Sequence, residues 1–179
     1  TLGKLNDGEP YIEGDFLKKG WDSVREIIKK SKEKDLVSIT LNGAQTLPVS
    51  VLSELKGKDI DLSLNMENGF IWKINGTSIT AETPADTDLS VTNTAEYIPA
   101  ALYSLISANQ NDFGFHLGRN GTFDFPAVLS VKTDVSCAGL MANLFWYDVE
   151  NGVLQCIQTV TVGGAFERSI PYADFTLSK

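Results

Sequence analysis

The sequence predicts an α+β fold of two β-α-β-β repeats followed by a C-terminal antiparallel β meander or half-sandwich. Apolar and polar residues alternate along several short runs, and this period of two marks half-buried strands. Two short helix patterns interrupt the runs, and each begins at a proline. Beyond Phe125 long helix patterns are absent and turn signals separate the remaining strand patterns, which favours antiparallel sheet.

A polar arm and a helix precede the first repeat. The arm, residues 1–15, is rich in Gly, Asp and Glu but lacks the D-x-D-x-D-G spacing of a calcium loop, so we interpret it as solvated. The helix is predicted over Trp21–Lys34, where an apolar stripe follows helical spacing: Trp21, Val24, Ile27 and Ile28. We interpret Trp21 as a core residue at the head of that stripe; a ligand platform is the alternative.

The first repeat lies within residues 36–74. Alternation up to Leu41 predicts a strand. Pro48 then opens a short helix, because proline is tolerated in a first turn, and Gly57 stops it. Two further strands alternate on either side of a hairpin turn at Asn68-Gly69, a pair that supplies the positive φ angles of such turns.

A second copy of this pattern follows the first, shifted by about fifty residues, a period typical of units that cannot bury their apolar faces alone. The aligned landmarks are Leu47-Pro48 with Ile98-Pro99, Asp59–Leu64 with Asp112–Leu117, and Asn68-Gly69 with Asn120-Gly121. We interpret the segments as two copies packed on each other. The alternative is a chance resemblance between two ordinary strand-helix-strand segments.

A polar, proline-containing linker, Thr80–Asp88, separates the copies. We therefore predict an N-terminal part, residues 1–83, with the helix and the first repeat. The C-terminal part, residues 84–179, holds the second repeat and the meander, and the two parts pack as one unit. In the meander, two strand patterns, Gly139–Asp148 and Val153–Val162, flank a hairpin turn.

The apolar faces of both repeats and of the strand that follows predict the core. The expected members are Ile39, Leu41, Leu52, Leu62, Leu64, Leu102, Phe115, Leu117, Phe123 and Leu129. These positions alternate with polar neighbours in the strands, so one face of each strand is expected to be buried.

Composition excludes several classes of function. The chain has 179 residues, 42% of them hydrophobic, and a formal net charge of −8, which suits a real core but disfavours nucleic-acid or anionic-membrane binding. Apolar runs fall short of the roughly 20 residues that span a bilayer, so we expect no membrane insertion by this chain. No signal peptide is visible at Thr1, as in a segment of a longer protein. Cys137 and Cys156 are too few for a disulfide framework; they either pair or stay free.

Short motifs occur in a definite order from Gly20 onward. They are Gly20-Trp21-Asp22, Leu47-Pro48, Val51-Leu52, Lys56-Gly57-Lys58-Asp59, Asn68-Gly69, Trp72, Ile74-Asn75-Gly76, Ile98-Pro99, Ala138-Gly139, Leu144-Phe145-Trp146-Tyr147-Asp148, Gly152-Val153-Leu154 and Tyr172-Ala173-Asp174-Phe175. Their order resembles a family of repeat modules in extracellular and cell-surface multidomain proteins of gut Clostridia and related Firmicutes. Pro171-Tyr172 departs from the usual His-Ala-Ser-Asp-Tyr of such modules, so any role of that histidine is absent here. The resemblance implies an extracellular or cell-surface segment of a larger protein, and it carries no settled activity.

Residues for catalysis, cofactors or metals are sparse in the sequence. His116 is the single histidine, and its place between Phe115 and Leu117 favours a solvated strand residue over a catalytic base. One histidine and two separated cysteines disfavour a zinc site, and no glycine-rich nucleotide loop occurs. We therefore expect no catalytic residue, cofactor or metal. A carboxylate-based glycan hydrolase is the alternative, because the geometry of the many acidic residues is invisible in the sequence.

The aromatic run Phe145-Trp146-Tyr147 leads to the binding-site prediction. Strand alternation sends Trp146 to one face and its neighbours to the other. The favoured interpretation is a core strand that is buried on both faces, and exposure of one set is the alternative. Exposed Trp and Tyr rings suit stacking on sugars and protein interfaces. For that case the predicted ligand-binding residues are Trp146 as first choice, Tyr147 as second, and Asn143, Asp148 and Gln158 as hydrogen-bonding neighbours.

These observations predict a non-catalytic extracellular module of a bacterial surface protein that binds a glycan or a surface-protein partner, or acts as a spacer. An exposed aromatic platform with polar neighbours would favour a glycan, and a broad apolar patch would favour a protein partner. A smooth charged surface would favour a spacer, and a cleft with two converging carboxylates would favour the hydrolase.

Overall fold

The computed structural model of the chain describes residues 8–94, 97–106, 114–118, 123–163 and 170–178. Within these residues the fold is mixed α+β, which confirms the predicted class. The helices are α1 Gly20–Lys30, α2 Val49–Leu55 and α3 Ala100–Ile106, with 3-10 turns at Gly76–Ser78 and Val135–Cys137. The strands are β1 Tyr11–Ile12, β2 Asp15–Lys19, β3 Leu36–Thr40, β4 Thr46–Leu47, β5 Asp61–Asn65, β6 Phe70–Asn75, β7 Thr87–Asp88, β8 Val91–Thr92, β9 His116–Leu117, β10 Ala127–Lys132, β11 Met141–Asp148, β12 Val153–Thr161 and β13 Tyr172–Leu177.

A seven-stranded mixed sheet has the order β13-β10-β6-β5-β3-β1-β2. β3 and β5 pair in parallel because α2 carries the chain back between them, whereas β5 and β6 pair antiparallel across a tight turn. β4 with β7, β8 with β9, and β11 with β12 form three separate two-stranded ladders. The C-terminal strands are therefore not one continuous meander, because β10 and β13 join the large sheet and β11 and β12 do not.

The chain divides into two compact units that do not follow chain order. The first unit contains Thr1–Ser90, Arg119–Ser130 and Thr176–Lys179. The second contains Val91–Gly118 and Val131–Phe175. The boundary between the units falls within β10 and within β13.

The core of the first unit lies between α1, α2 and the strands β3, β5 and β6. Burial alternates along β5 and β6, as the period of two predicts. Trp72 is buried, its indole N–H donates to the Leu89 carbonyl at 2.9 Å, and its ring lies 5.5 Å from that of Phe123. Burying one such large apolar side chain stabilises the fold by roughly 1.5–3 kcal/mol.

Most of the predicted core is buried, and three members are not. The buried members are Ile39, Leu41, Leu52, Leu62, Leu64, Phe123 and Leu129. Leu102, Phe115 and Leu117 are only half-buried. They belong to the predicted second repeat, where β8 and β9 form a ladder of two residue pairs and offer little surface to cover an apolar side chain.

The first helix is shorter than predicted: α1 ends at Lys30 rather than at Lys34. Ser31 leaves the helical conformation, and its hydroxyl and backbone N–H both donate to the Ile27 carbonyl. Lys34 is left-handed, with a φ of 69°. Local hydrogen bonds at Ser31 thus end the helix before the last four residues of the predicted segment.

The turn between β5 and β6 also differs from the predicted Asn-Gly geometry. Gly69 does adopt a positive φ of 91°, but the second left-handed residue is Glu67, with a φ of 63°, rather than Asn68. The Glu67 amide donates to the Asn65 side chain at 2.9 Å, and the Phe70 amide donates to the Asn68 side chain at 3.2 Å. The two asparagine side chains thus hold a longer turn than the two-residue one predicted.

The two predicted repeats share their helix starts. Pro48 immediately precedes α2 and Pro99 immediately precedes α3, and each proline carbonyl accepts from the amides three and four residues later. The flanking strands differ, since β3 pairs parallel with β5 whereas β8 pairs antiparallel with β9. Asp112 and the Asn120-Gly121 turn lie outside the described residues, so the full alignment of the copies stays a prediction.

Candidate functional site

The β11–β12 hairpin carries every residue of the predicted binding site. The turn Val149–Gly152 joins the two strands, and its geometry places Asp148 opposite Val153 and Trp146 opposite Gln155. A bulge then shifts the register between Leu144 and Phe145, so that Leu144 faces Gln158. The pairing therefore decides which side chains can meet across the ladder.

Trp146 faces solvent, with 50% of its surface exposed. Its neighbours Phe145 and Tyr147 are half-buried, and Leu144 is buried. The strand is thus not buried on both faces. Directly paired side chains on one face of an antiparallel ladder lie about 4.5–5.5 Å apart at Cβ, so the Gln155 amide stands beside the exposed indole.

The predicted polar neighbours are only partly assembled around Trp146. Asn143 is an odd-numbered residue on the strand, so alternation turns it to the other face, where it accepts from the Thr159 hydroxyl at 2.7 Å. Gln158 lies on the Trp146 face, opposite Leu144. Asn143 and Tyr147 thus share one face, and Trp146, Asp148 and Gln158 share the other.

The Asp148 carboxylate accepts hydrogen bonds from residues of its own hairpin turn. The donors are the Asn151 side chain and the amides of Glu150 and Asn151. These hydrogen bonds, led by that from the Asn151 side chain, lower the pKa of Asp148. A carboxylate engaged in this way has less capacity for ligand hydroxyls than the sequence indicated.

Gln155 is the functional candidate that sequence reasoning missed. Its signal was present, because counting outward from the turn Val149–Gly152 pairs Asp148 with Val153 and therefore Trp146 with Gln155. The bulge beyond that pair is not visible in the alternation. Exposed apolar side chains extend the same hairpin: Met141, Val153 and Ile157.

A second candidate site is an open cleft in the first unit. Its volume is about 500 Å³, and its walls come from the segment before β1, the start of α1 and the region around β4. The lining residues are Gly8, Glu9, Pro10, Gly20, Trp21, Thr46 and Pro48. The interpretation of Trp21 as a core residue, made from the sequence, is wrong. Its side chain is half-buried and lines the cleft.

The backbone around the cleft is held by contacts between distant segments. The Gly20 amide donates to the Pro10 carbonyl at 2.7 Å, and the Asn42 side chain donates to the Glu9 carbonyl at 3.2 Å. Gly20 is left-handed, with a φ of 82°, which lets the chain turn from β2 into α1. A Cβ on Gly8 would lie 1.7 Å from the Asn42 carbonyl oxygen, so only glycine fits at that wall.

Three polar side-chain groups line the cleft, and Glu9, which carries one of them, is exposed. They are the Glu9 carboxylate, the Trp21 indole N–H and the Thr46 hydroxyl. Glu9 is also the single carboxylate among the lining residues. The cleft therefore combines apolar walls with one acceptor, one donor and one group that is both.

The structure also shows the surroundings of the other residues whose side chains could act in catalysis or metal binding. The His116 ring lies 4.9 Å from that of Tyr97. Cys137 and Cys156 do not form a disulfide. Asp59 and Asp61 both accept from the Asn75 side chain at 3.0 Å, which ties them to the end of β6. No cluster of three or more candidate metal ligands occurs among the described residues.

Within the described ranges, none of the helices has the length and apolar character that a membrane span requires. Comparison of the chain with protein-family models, curated proteins and solved structures returned no match.

Proposed function

We propose that this chain is a non-catalytic binding module of a bacterial surface or secreted protein, and that it binds glycan through the exposed face of the β11–β12 hairpin. The observation that carries the proposal is the half-exposed Trp146, with Gln155 as its directly paired residue on the neighbouring strand. The resemblance of the motif order to modules of Clostridia and related Firmicutes supports the location. In this proposal the chain is one segment of a larger extracellular protein.

The pairing of indole and amide matches the two chemical faces of a sugar. The apolar C–H face of a sugar ring stacks on an aromatic ring, and its hydroxyls need donors and acceptors beside that ring. Gln155 supplies both from its amide, and Gln158 lies further along the same face. Asn143 and Tyr147 belong to the opposite face and are assigned a minor role.

The residues that line the cleft also favour a binding function over a hydrolytic one. Hydrolysis of a glycosidic bond ordinarily uses two carboxyl groups on either side of the bond. Glu9 is the single carboxylate that lines the cleft, and Asp148 at the hairpin is engaged by its own turn. The carboxylate-based hydrolase is therefore the weaker alternative.

The repeat hypothesis belongs to this proposal. We infer that the two β-α-β-β segments derive from one ancestral unit, supported by the matched prolines before α2 and α3. A structure of the chain in which residues 107–122 take a conformation unrelated to residues 56–71 would refute that inference.

A glycan-array screen of the purified chain, followed by calorimetry with each hit, tests the function. Trp146→Ala should weaken binding at least tenfold, which corresponds to about 1.4 kcal/mol of lost binding free energy. Gln155→Ala should weaken it less, by the factor of roughly two to ten expected for one neutral hydrogen bond.

The matched control is Phe16→Ala, because Phe16 is an aromatic residue on β2 that is more exposed than Trp146, at 65% against 50%, and lies outside both candidate sites. It should leave binding unchanged. An affinity and stoichiometry that both Trp146→Ala and Tyr147→Ala leave unchanged, with unchanged circular dichroism, would refute the hairpin assignment. Release of reducing sugar from any bound glycan would favour the hydrolase instead.

A further inference from the structure

We propose that the cleft between the segment before β1, the start of α1 and the Thr46–Pro48 region is a separate binding site for a neutral sugar ring. This inference does not depend on the hairpin: the cleft lies wholly in the first compact unit, and every hairpin residue lies in the second. Its volume, about 500 Å³, is within the range of roughly 300–1,000 Å³ that small-molecule sites occupy.

The apolar walls fit the C–H face of a sugar ring. Trp21 occupies the first turn of α1, where the helix fixes its backbone, and its ring is half-buried rather than free. Pro10 is buried and Pro48 is half-buried, so both present C–H groups at fixed positions. The Trp21 indole and the two proline rings that line the same cleft offer apolar surface on which a sugar ring face can stack.

The polar groups select the ligand's chemistry. A sugar hydroxyl can donate to the Glu9 carboxylate while it accepts from the Trp21 indole N–H, and the Thr46 hydroxyl serves in either direction. An anion would be repelled by Glu9. The mixture of acceptor and donors therefore fits a neutral polyhydroxylated ligand.

A cation would engage Glu9 but would leave the indole donor without a partner. A Cβ on Gly20 would lie 3.5 Å from the Glu9 Oε1, so the carboxylate stands near the start of α1, where the positive end of a helix dipole favours negative charge.

The walls are positioned before any ligand arrives. Hydrogen bonds join Gly20 to Pro10 and Asn42 to Glu9 through their backbone groups, and the pairing of Thr46 with Asp88 fixes the third wall. A preformed site loses little conformational entropy on binding.

Indole N–H resonances provide the test, because the chain has three tryptophans. Trp72 is buried and its N–H is already hydrogen-bonded, so it serves as an internal reference. The full chain carrying Trp146→Ala, which removes the hairpin indole, would be titrated with glucose, galactose, N-acetylglucosamine and cellobiose. Tetramethylammonium chloride is the cationic comparison. At least one sugar should shift the Trp21 resonance saturably and leave that of Trp72 in place.

Two conservative variants assign the contacts without relying on a disruptive change. Trp21→Phe keeps a ring but removes the donor, and Thr46→Val keeps the shape but removes the hydroxyl. In the Trp146→Ala background, calorimetry should show each of them weakening sugar binding by roughly two- to tenfold, the range for a single lost hydrogen bond. Phe16→Ala in that background should leave the affinity unchanged.

Three results would overturn the cleft site. They are the absence of any saturable Trp21 shift with all four sugars, sugar affinity in both conservative variants that is unchanged from that of the Trp146→Ala chain, and tighter binding of tetramethylammonium than of every sugar. The outcome also separates the two proposals. Loss of all binding on Trp146→Ala would leave the hairpin proposal standing and refute the cleft, whereas binding that depends on Trp21 alone would do the reverse.

Discussion

Helices α2 and α3 begin in the same way and end in different surroundings. Each is seven residues long and follows a proline whose carbonyl accepts the first helical hydrogen bonds. Yet α2 buries Val51, Leu52 and Leu55 completely, whereas no described residue of α3 is buried and Leu105 is 76% exposed. The comparison shows that a helix start is encoded locally, while burial depends on what the rest of the chain places against the helix.

The difference has an identifiable cause in the first unit. α2 carries the chain between two parallel strands of five residues each, and α1 packs against it. The first amide of α2, at Val49, donates to the Asp86 side chain at 2.7 Å, and Lys56 beyond its end donates to the Ala81 carbonyl. α3 connects strands of two residues each. Its apolar side chains therefore have little sheet to cover them.

The strongest test of this difference between α2 and α3 is a matched pair of leucine-to-alanine substitutions. Leu52→Ala should destabilise the chain by about 2–5 kcal/mol, because it empties a fully buried position. Leu105→Ala should change stability by less than about 0.5 kcal/mol, because the side chain is exposed. Urea denaturation measures both. Similar losses at the two positions would show that α3 is packed in solution as α2 is.

A second, smaller effect is expected where the end of α2 meets the chain after β6. A Cβ on Gly76 would lie 2.1 Å from the Leu55 carbonyl oxygen and 2.3 Å from that of Lys58. Gly76→Ala should therefore destabilise by about 1–3 kcal/mol, as overpacking does.

The control for that substitution is Gly163→Ala. Its Cβ would meet the Tyr172 carbonyl at 3.5 Å, an ordinary contact, and Gly163 is exposed. The change in stability should stay within about 1 kcal/mol. If thermal melting showed Gly76→Ala to be as mild as Gly163→Ala, the close approach at the end of α2 would be wrong.

The smallest effect concerns the ion pair between Glu54, on α2, and Lys58, which follows the end of that helix. Lys58 donates to Glu54 at 2.9 Å, and this hydrogen bond lowers the pKa of Glu54 below its ordinary value of 4.5. A lowered folded-state pKa contributes stability above pH 4.5 that is lost as the pH falls through the folded value. The stability gap between the native chain and Glu54→Gln should therefore narrow below pH 4.5.

Urea midpoints measured at several pH values check this, and Lys58→Met provides the partner control. The double variant should lose no more than either single variant, because the two residues contribute through one interaction. A gap that persists unchanged into acid would mean that Glu54 contributes by packing rather than by charge.

The two candidate sites differ as the two helices do: the hairpin site depends partly on local sequence, and the cleft depends on tertiary contacts. The pairing of Trp146 with Gln155 follows from the position of the turn, whereas its exposure does not follow from three adjacent aromatics, a pattern that also fits a strand buried on both faces. The bulge that moves Gln158 opposite Leu144 leaves no signature in the alternation. The engagement of Asp148 by Asn151 is local, and an Asp three residues before an Asn in a turn was a readable signal.

The cleft, by contrast, could not be read from the chain. Its walls come from Glu9, Trp21 and Thr46, which are separated in sequence and belong to no shared motif. Trp21 heads an apolar helical stripe, and that pattern is the same whether the ring enters the core or lines a cleft. Only the position of the segment before β1 distinguishes the two outcomes.

The sequence by itself determined the α+β class, the alternation of β5 and β6, the proline starts of α2 and α3, and the hairpin turn before β12. These features depend on backbone preferences and on a period of two or 3.6, which operate over a few neighbouring residues. Tertiary structure alone decided that α2 is buried and α3 is not, that β10 and β13 join the large sheet, and that Trp21 lines a cleft. Those outcomes depend on contacts between residues far apart in the chain, and local periodicity carries no information about which distant segment will supply the covering surface.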